Sequence, residues 1–248
     1  MNIFRFLCRK IFNKLYFPNI SNMKNEILQT AHEQFLKFGI REMSIKKLIE
    51  PLGISTKTVY KYYKNKEELL EDVLQLHYNQ QFQLVENLSA DENVVLRLFD
   101  IWYLAIELAF DVNNLFYRDL HYYYPELEKK TELAVGAKFA MQMEDFIRKG
   151  ISVGVFQKDI LPDVAMEGIY ILYNAIARTD QFKKFSATPY EILLNSMAIY
   201  IRGLCSAKGI QKLEEYITTL KPFGGKDAAI EQELQLRHKP IPISNITY

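Results

Sequence analysis

The chain is poor in the residues that build most small catalytic and metal sites. Of its 248 residues only two are cysteine, four histidine and one tryptophan. Cys8 and Cys205 cannot form a zinc cluster or a disulfide framework, and so sparse a pair suits a reducing cytoplasm. His32, His77, His121 and His238 show neither His-Glu-x-x-His nor Glu-x-x-His spacing, which argues against a zinc protease or a di-iron bundle. There is no GxGxxG, and Gly224-Gly225-Lys226-Asp227 lacks the Ser/Thr and the upstream glycine of a phosphate loop. Ten glycines and eight prolines are few for a collagen, a loop-rich scaffold or an all-β domain with many tight turns. The charge-free stretches Gly168–Ala177 and Ile192–Ile201 fall well short of the roughly 20 residues that a membrane-spanning helix needs. The expectation is a cytoplasmic protein that is not an enzyme and holds no metal or cofactor.

What the chain does have is charge of opposite sign in its two parts. The net charge is only +1, yet residues 1–66 carry 13 Lys/Arg against 4 Asp/Glu, and the remainder carries 18 against 26. A basic first quarter joined to an acidic remainder suggests that the N-terminal part meets a polyanion, either nucleic acid or membrane phosphate. Apolar residues at 49% and charged residues at 25% are ordinary globular values and exclude general disorder.

Period-2 alternation and Asn-Gly or Asp-Gly turns are missing, whereas helical periodicity recurs throughout. Ile27, Ala31, Phe35 and Phe38 follow three- and four-residue steps, and Gly39 then stops the helix. Ser44 caps a short helix to about Pro51. Asn65-Lys66-Glu67-Glu68 and Ser89-Ala90-Asp91-Glu92 are capping boxes that open long helices, the second running to about Phe110. Pro125 starts a helix predicted to end at Gly150, and another spans about Asp163 to Thr179. Thr188-Pro189-Tyr190-Glu191 joins a cap, a proline at the first helical position and the capping Glu, opening a helix to about Ala207. A short helix is expected over Ile210–Leu220. The fold class is all-α.

Residues 44–66 predict two short helices around a turn at Gly53, the second capped by Ser55. Gly53 supplies the positive φ that such a turn demands. Leu48, Leu52, Ile54 and Val59 lock the helices together, leaving Thr56, Lys57, Tyr60, Lys61 and Tyr62 to project outward. A helix with donors at its N-terminal end fits the major groove, where Lys57 can reach guanine O6 or N7 and Thr56 an acceptor or a thymine methyl. Tyr60, Lys61 and the caps Ser44 and Asn65 lie where phosphates pass.

This segment resembles the N-terminal domain of the TetR family of bacterial transcriptional regulators. The resemblance covers about residues 23–70: Ile27-Leu28, Ala31, Phe35 and Gly39, then Gly53-Ile54-Ser55, Thr58-Val59-Tyr60, Tyr63, Lys66-Glu67 and Leu69-Leu70. It implies that Ser44, Thr58, Tyr60 and Lys66 hold phosphates and that the helix from Ser55 to about Lys61 reads bases. Tyr63 stands where the family has a core Phe. Lys57 replaces a usual glycine, Ile49 and Leu52 replace small alanines, and Pro51 falls late in the first short helix.

Ile147, Gly150-Ile151, Gly154-Val155-Phe156 and Asp159 are similar to the family's linker before its last two long helices, which pair with their symmetry mates. By that resemblance Ile169, Leu172, Ile176, Leu193, Met197, Ile201 and Leu204 are expected at a dimer interface. Apolar residues on several sides of a helix need burial on several sides, and a second copy supplies it. The resemblance further implies a cavity for a small-molecule effector among the dense aromatics between Leu96 and Tyr173, with Trp102, Tyr103, Ile106, Phe139, Met143 and Tyr173 as expected lining residues.

Residues 1–22 form a basic amphipathic pattern that fits membrane contact, an extra DNA arm, or translation starting at Met23. The expected organisation is this extension, a helix-turn-helix domain over 23–70, a larger helical effector-binding and dimerisation domain over 71–221, and a partly ordered tail over 222–248. The expected function is a homodimeric repressor released from a palindromic double-stranded DNA operator by a small, largely apolar or aromatic ligand. The alternative is a helical interaction or membrane-surface adaptor without sequence-specific DNA binding.

Overall fold

A computed structural model describes residues 23–87 and 93–220. In chain order they form α1 (Met23–Phe38), α2 (Ile45–Ile49), α3 (Thr56–Val59), α4 (Lys66–Asn87), α5 (Val94–Phe110), α6 (Asn114–Tyr123), α7 (Pro125–Thr131), α8 (Ala137–Ser152), α9 (Pro162–Ala177), α10 (Pro189–Leu194), α11 (Met197–Leu204) and α12 (Ala207–Thr219). Among the described residues no strand forms; an isolated antiparallel bridge joins Phe156 to Cys205. The all-α expectation holds. The extension 1–22, the Ser89–Glu92 box and the tail from 222 lie outside the described residues.

Two apolar cores form. The first joins α1–α3 to the N-terminal half of α4 and to α6, around Ile27, Phe35, Leu48, Val59, Leu70 and Phe116. The second fills the space between α5, α8, α9, α11 and α12, around Phe99, Trp102, Ile106, Ile147, Ile169 and Ile201. Helix α4 runs out of the first core, and its Tyr78 and Phe82 reach the cavity beside the second. The N-terminal head therefore does not end at residue 70, because α4 and α6 complete its core.

Several local expectations change for physical reasons. Phe38, read as the last member of the α1 stripe, is exposed, with the Lys37 ammonium 5.0 Å over its ring. Gly150 does not stop its helix. It lies inside α8, where an added Cβ would come within 2.1 Å of Phe156 Cδ2, so it is a close-packing glycine. The left-handed residue that follows α8 is Gly154, at φ +73. The segment from Pro125 to Ser152 carries a π-helical turn at Glu132–Gly136.

The helix opened by Thr188 does form its capping box, but it breaks after Leu194. There Asn195 Nδ2 donates to the Glu191 carbonyl and the Ser196 hydroxyl donates to the Ile192 carbonyl. Side chains that bond back to the preceding turn compete with the helical ladder, and Ser196 leaves helical geometry at φ −139, ψ −86. The final helix starts earlier than expected, at Ala207, because Ser206 caps it by accepting from Gly209 N–H.

Candidate nucleic-acid interface and effector cavity

The helix-turn-helix is built from short, capped pieces. Ser44 ends the approach to α2 and accepts from Lys47 N–H at 3.3 Å. Pro51, with no N–H to give, falls in a 3-10 turn over Glu50–Leu52 instead of extending α2. Gly53 then takes φ +63. Ser55 caps α3 by accepting from Thr58 N–H, and its Oγ lies 3.1 Å from Thr58 Oγ1. Leu48, Ile49 and Val59 are buried between the two helices, while Leu52, the other bulky residue noted there, is only half-buried against the same core.

Opposite that core stands one exposed face. Lys57, Tyr60, Lys61 and Tyr62 are exposed, Tyr60 at 55%, while Thr56 and Thr58 are half-buried at its edge. Tyr63 turns inward at 2% exposure, with the Lys24 ammonium 5.1 Å over its ring. Lys66 has partners inside the head. Its ammonium is half-buried, donates to the Ile40 carbonyl at 2.5 Å and lies over the Phe35 ring, and burial lowers its pKa against the pull of Asp119 and Glu42. It braces the head from within, whereas the exposed lysines of this face are Lys57 and Lys61.

The head is joined to α6 by polar contacts that periodicity could not disclose. Buried Asp119 accepts from Ile40 N–H at 2.9 Å and Arg41 N–H at 2.8 Å, and Asn113 N–H donates to the Leu36 carbonyl. On α4, His77 is buried between His32 of α1 and Gln81.

A cavity of about 130 Å³ lies between α4, α5, the π-helical turn and α9. Trp102, Phe139 and Tyr173 line it, as do Tyr78, Phe82 and Arg178. Tyr103, Ile106 and Met143 do not. The α5 residues on the cavity are 101, 102, 104, 105 and 108, one face of a 3.6-residue helix. Tyr103 falls on the other side of α5, against Tyr190, and Ile106 is buried in the second core. Met143 lies one turn beyond Phe139 and is buried in the same core. Sequence reading missed the polar end of the cavity. There Arg178 Nη2 donates to the Tyr78 hydroxyl at 3.2 Å, and Glu128 and Glu132 stand 3.7 Å from Nη1. A lone arginine closing the apolar run of α9 was the available signal. Burial pushes the Tyr173 hydroxyl up to about 12, so it stays a neutral phenol.

The expected dimer residues are corrected as well. Ile169, Ile176, Leu193, Met197 and Ile201 are each 0% exposed, Leu204 is buried, and Leu172 is half-buried against the second core. They hold the single chain together. The outward apolar residues of α9 and α11 are Val164, Ile171 and Ile199, each about 60% exposed (62%, 61% and 59%).

The sequence model described as bacterial regulatory proteins, tetR family, matches residues 27–73. No curated protein matches the chain. Solved structures share its fold. A TetR-family transcriptional regulator from Cytophaga hutchinsonii is 16% identical with a TM-score of 0.62, covering 75% of this chain and 96% of its own. A putative transcriptional regulator from Saccharomonospora viridis, solved with choline, is 16% identical at TM-score 0.63, with 74% and 98% covered. The fatty acid degradation regulator FadR from Bacillus halodurans is 17% identical at TM-score 0.60, with 75% and 98% covered. The N-terminal segment is thus a DNA-binding domain of the TetR family, followed by a helical domain with the fold of that family's regulators. Among the described residues no helix is long and apolar enough to cross a membrane, and no three His, Cys, Asp or Glu side chains are grouped to hold a metal ion.

Proposed function

We propose that this protein is a homodimeric transcriptional repressor that leaves a near-palindromic operator when a small, largely apolar ligand fills its cavity. The observation that carries the DNA reading is the exposed face of α3 and the turn after it. Thr56 and Lys57 stand at the N-terminal end of the helix, where donors reach base edges in the major groove. Ser44, Ser55, Thr58, Tyr60, Lys61 and Tyr62 surround it with hydroxyl and ammonium donors suited to phosphates. Lys66 supports this face from inside the head.

Dimerisation through Val164, Ile171 and Ile199 sets two heads on two-fold-related half-sites. The cavity supports the effector reading because its wall includes Tyr78 and Phe82 of α4, the helix whose first turns lie in the head's core. A ligand shifts the equilibrium only if it binds one head spacing better than the other. The regulator solved with choline and the fatty acid degradation regulator share this fold, which supports a small-molecule effector here. The test is selection of bound genomic fragments by the purified protein at roughly physiological salt, where phosphate binding alone is weak. Recovery of a near-palindromic site supports the proposal, and recovery of no preferred sequence contradicts it.

A further inference from the structure

One side of the cavity faces solvent. Of the residues that line it, Glu132, Gly136 and Tyr170 are exposed, and all the others, from Phe82 on α4 to Ala105 and Leu108 on α5, are buried or half-buried. The exposed three belong to one place. Glu132 and Gly136 are the first and last residues of the π-helical turn, and Tyr170 stands across from them on α9. A hydrogen bond spans the gap, with the Tyr170 hydroxyl donating to Glu132 Oε1 at 2.7 Å. On the inner side the same carboxylate oxygen lies 3.7 Å from Arg178 Nη1.

The backbone at this place is unusual in two ways. A π-helical turn is rare, and single turns of this kind inside α-helices are found mostly at functional sites. Here the turn interrupts the Pro125–Ser152 helix at the stretch where it forms the cavity wall. Gly136 is the second feature. A glycine inside a helix weakens it relative to alanine, yet its φ is an ordinary −62 and an added Cβ would meet nothing within 4 Å. Neither backbone conformation nor packing calls for a glycine. What the missing side chain leaves is open space in the wall.

We infer that small molecules enter this cavity between the π-helical turn and α9, with Gly136 as the gap and the Tyr170–Glu132 hydrogen bond as a latch across it. The mouth sets how fast a molecule enters and leaves; its part in regulation rests on reading this cavity as the effector site. Trp102 is the only tryptophan of the chain and lines the cavity, so its fluorescence reports what gets in. The probe is acrylamide, a small uncharged quencher, applied to the full chain. Tyr170→Phe keeps the ring and removes the hydroxyl, and it should raise the quenching rate constant by about fivefold, the gain in open fraction from one lost hydrogen bond. Gly136→Phe should lower it severalfold. Gly203→Phe makes the same change at another helical glycine with nothing within 4 Å, away from the cavity, and should leave quenching at the wild-type value. Circular dichroism checks that each variant is folded; if Gly136→Phe is not, Tyr170→Phe against wild type decides alone. An unchanged rate in Tyr170→Phe, or a rate in Gly136→Phe no lower than in Gly203→Phe, would overturn the inference. Quenching needs no DNA, so the mouth stands or falls apart from the effector reading.

Discussion

Lys66 and Asp119 hold the same residue from opposite sides. The ammonium of Lys66 in α4 donates to the Ile40 carbonyl, and the carboxylate of Asp119 in α6 accepts from the Ile40 N–H. The turn that leads into the helix-turn-helix is thereby clamped to both α4 and α6. Asp119→Ala leaves the Ile40 and Arg41 N–H groups without their charged acceptor. It is expected to destabilise the protein by about 3 kcal/mol in urea titrations, from two charge-assisted hydrogen bonds. Operator affinity should fall with it, while cavity binding is retained.

The two left-handed glycines of the head should respond unequally. At Gly53 nothing lies within 4 Å of an added Cβ, so Gly53→Ala carries only the positive-φ strain of about 1–2 kcal/mol. At Gly39 the new atom would also stand 2.8 Å from Leu115 Cβ and 3.0 Å from Asp119 Oδ2. Gly39→Ala is expected to cost about 1–3 kcal/mol more than Gly53→Ala, the usual range for overpacking. Thermal midpoints of the two variants measure the difference.

Stability should also depend on pH through His77. Burial, then His32 and Arg178, depress its pKa well below 6.5, so it is neutral in the fold. With Gln81 donating to Nε2, the His77 proton sits on Nδ1, facing His32. Below about pH 6.5 the unfolded chain binds a proton that the folded one refuses. The stabilisation is therefore full above that pH and is lost as pH falls toward the depressed folded value, by at most about 1.4 kcal/mol per unit. Urea midpoints should drop between about pH 7.5 and 5.5, and His77→Leu should flatten that drop.

Ile169 and Ile171, two positions apart on α9, should separate folding from assembly. Ile169→Ala opens the second core and is expected to cost about 2–5 kcal/mol. Ile171→Glu leaves that core intact and places a charge on the outward face. Its predicted effect is a monomer of near-wild-type stability, read by analytical ultracentrifugation. A dimer persisting in Ile171→Glu would remove this face from the interface.

The head was legible from sequence because its devices are local: Ser55 three residues before Thr58, Gly53 at the turn, Ile27-Ala31-Phe35 on one stripe. The bond from Lys66 to the Ile40 carbonyl was not legible, because that partner is distant in sequence and has no side-chain signature. The dimer residues failed for a related reason. Periodicity shows that a helix buries several faces, yet it does not say which face meets its own chain, and Ile169 and Ile201 meet α5 and its neighbours. Trp102, Phe139 and Tyr173, picked out by aromatic density, do line the cavity; that they hold a ligand is part of the proposal. Tyr103 was lost to helix phase, and Arg178 was hidden because its role depends on Tyr78, a hundred residues away.

The central claim is that the α3 face reads DNA sequence, and the most direct test is the ratio of affinities for a selected site and a random duplex. Wild type is predicted to favour the selected site by at least about 10³-fold. Lys57→Ala should shrink that ratio by about 1–3 kcal/mol at one base-pair position. Lys61→Ala should weaken both duplexes alike and lower the salt slope by about 0.9 for each phosphate it no longer neutralises. Equal affinity of the wild-type protein for selected and random DNA would contradict the account.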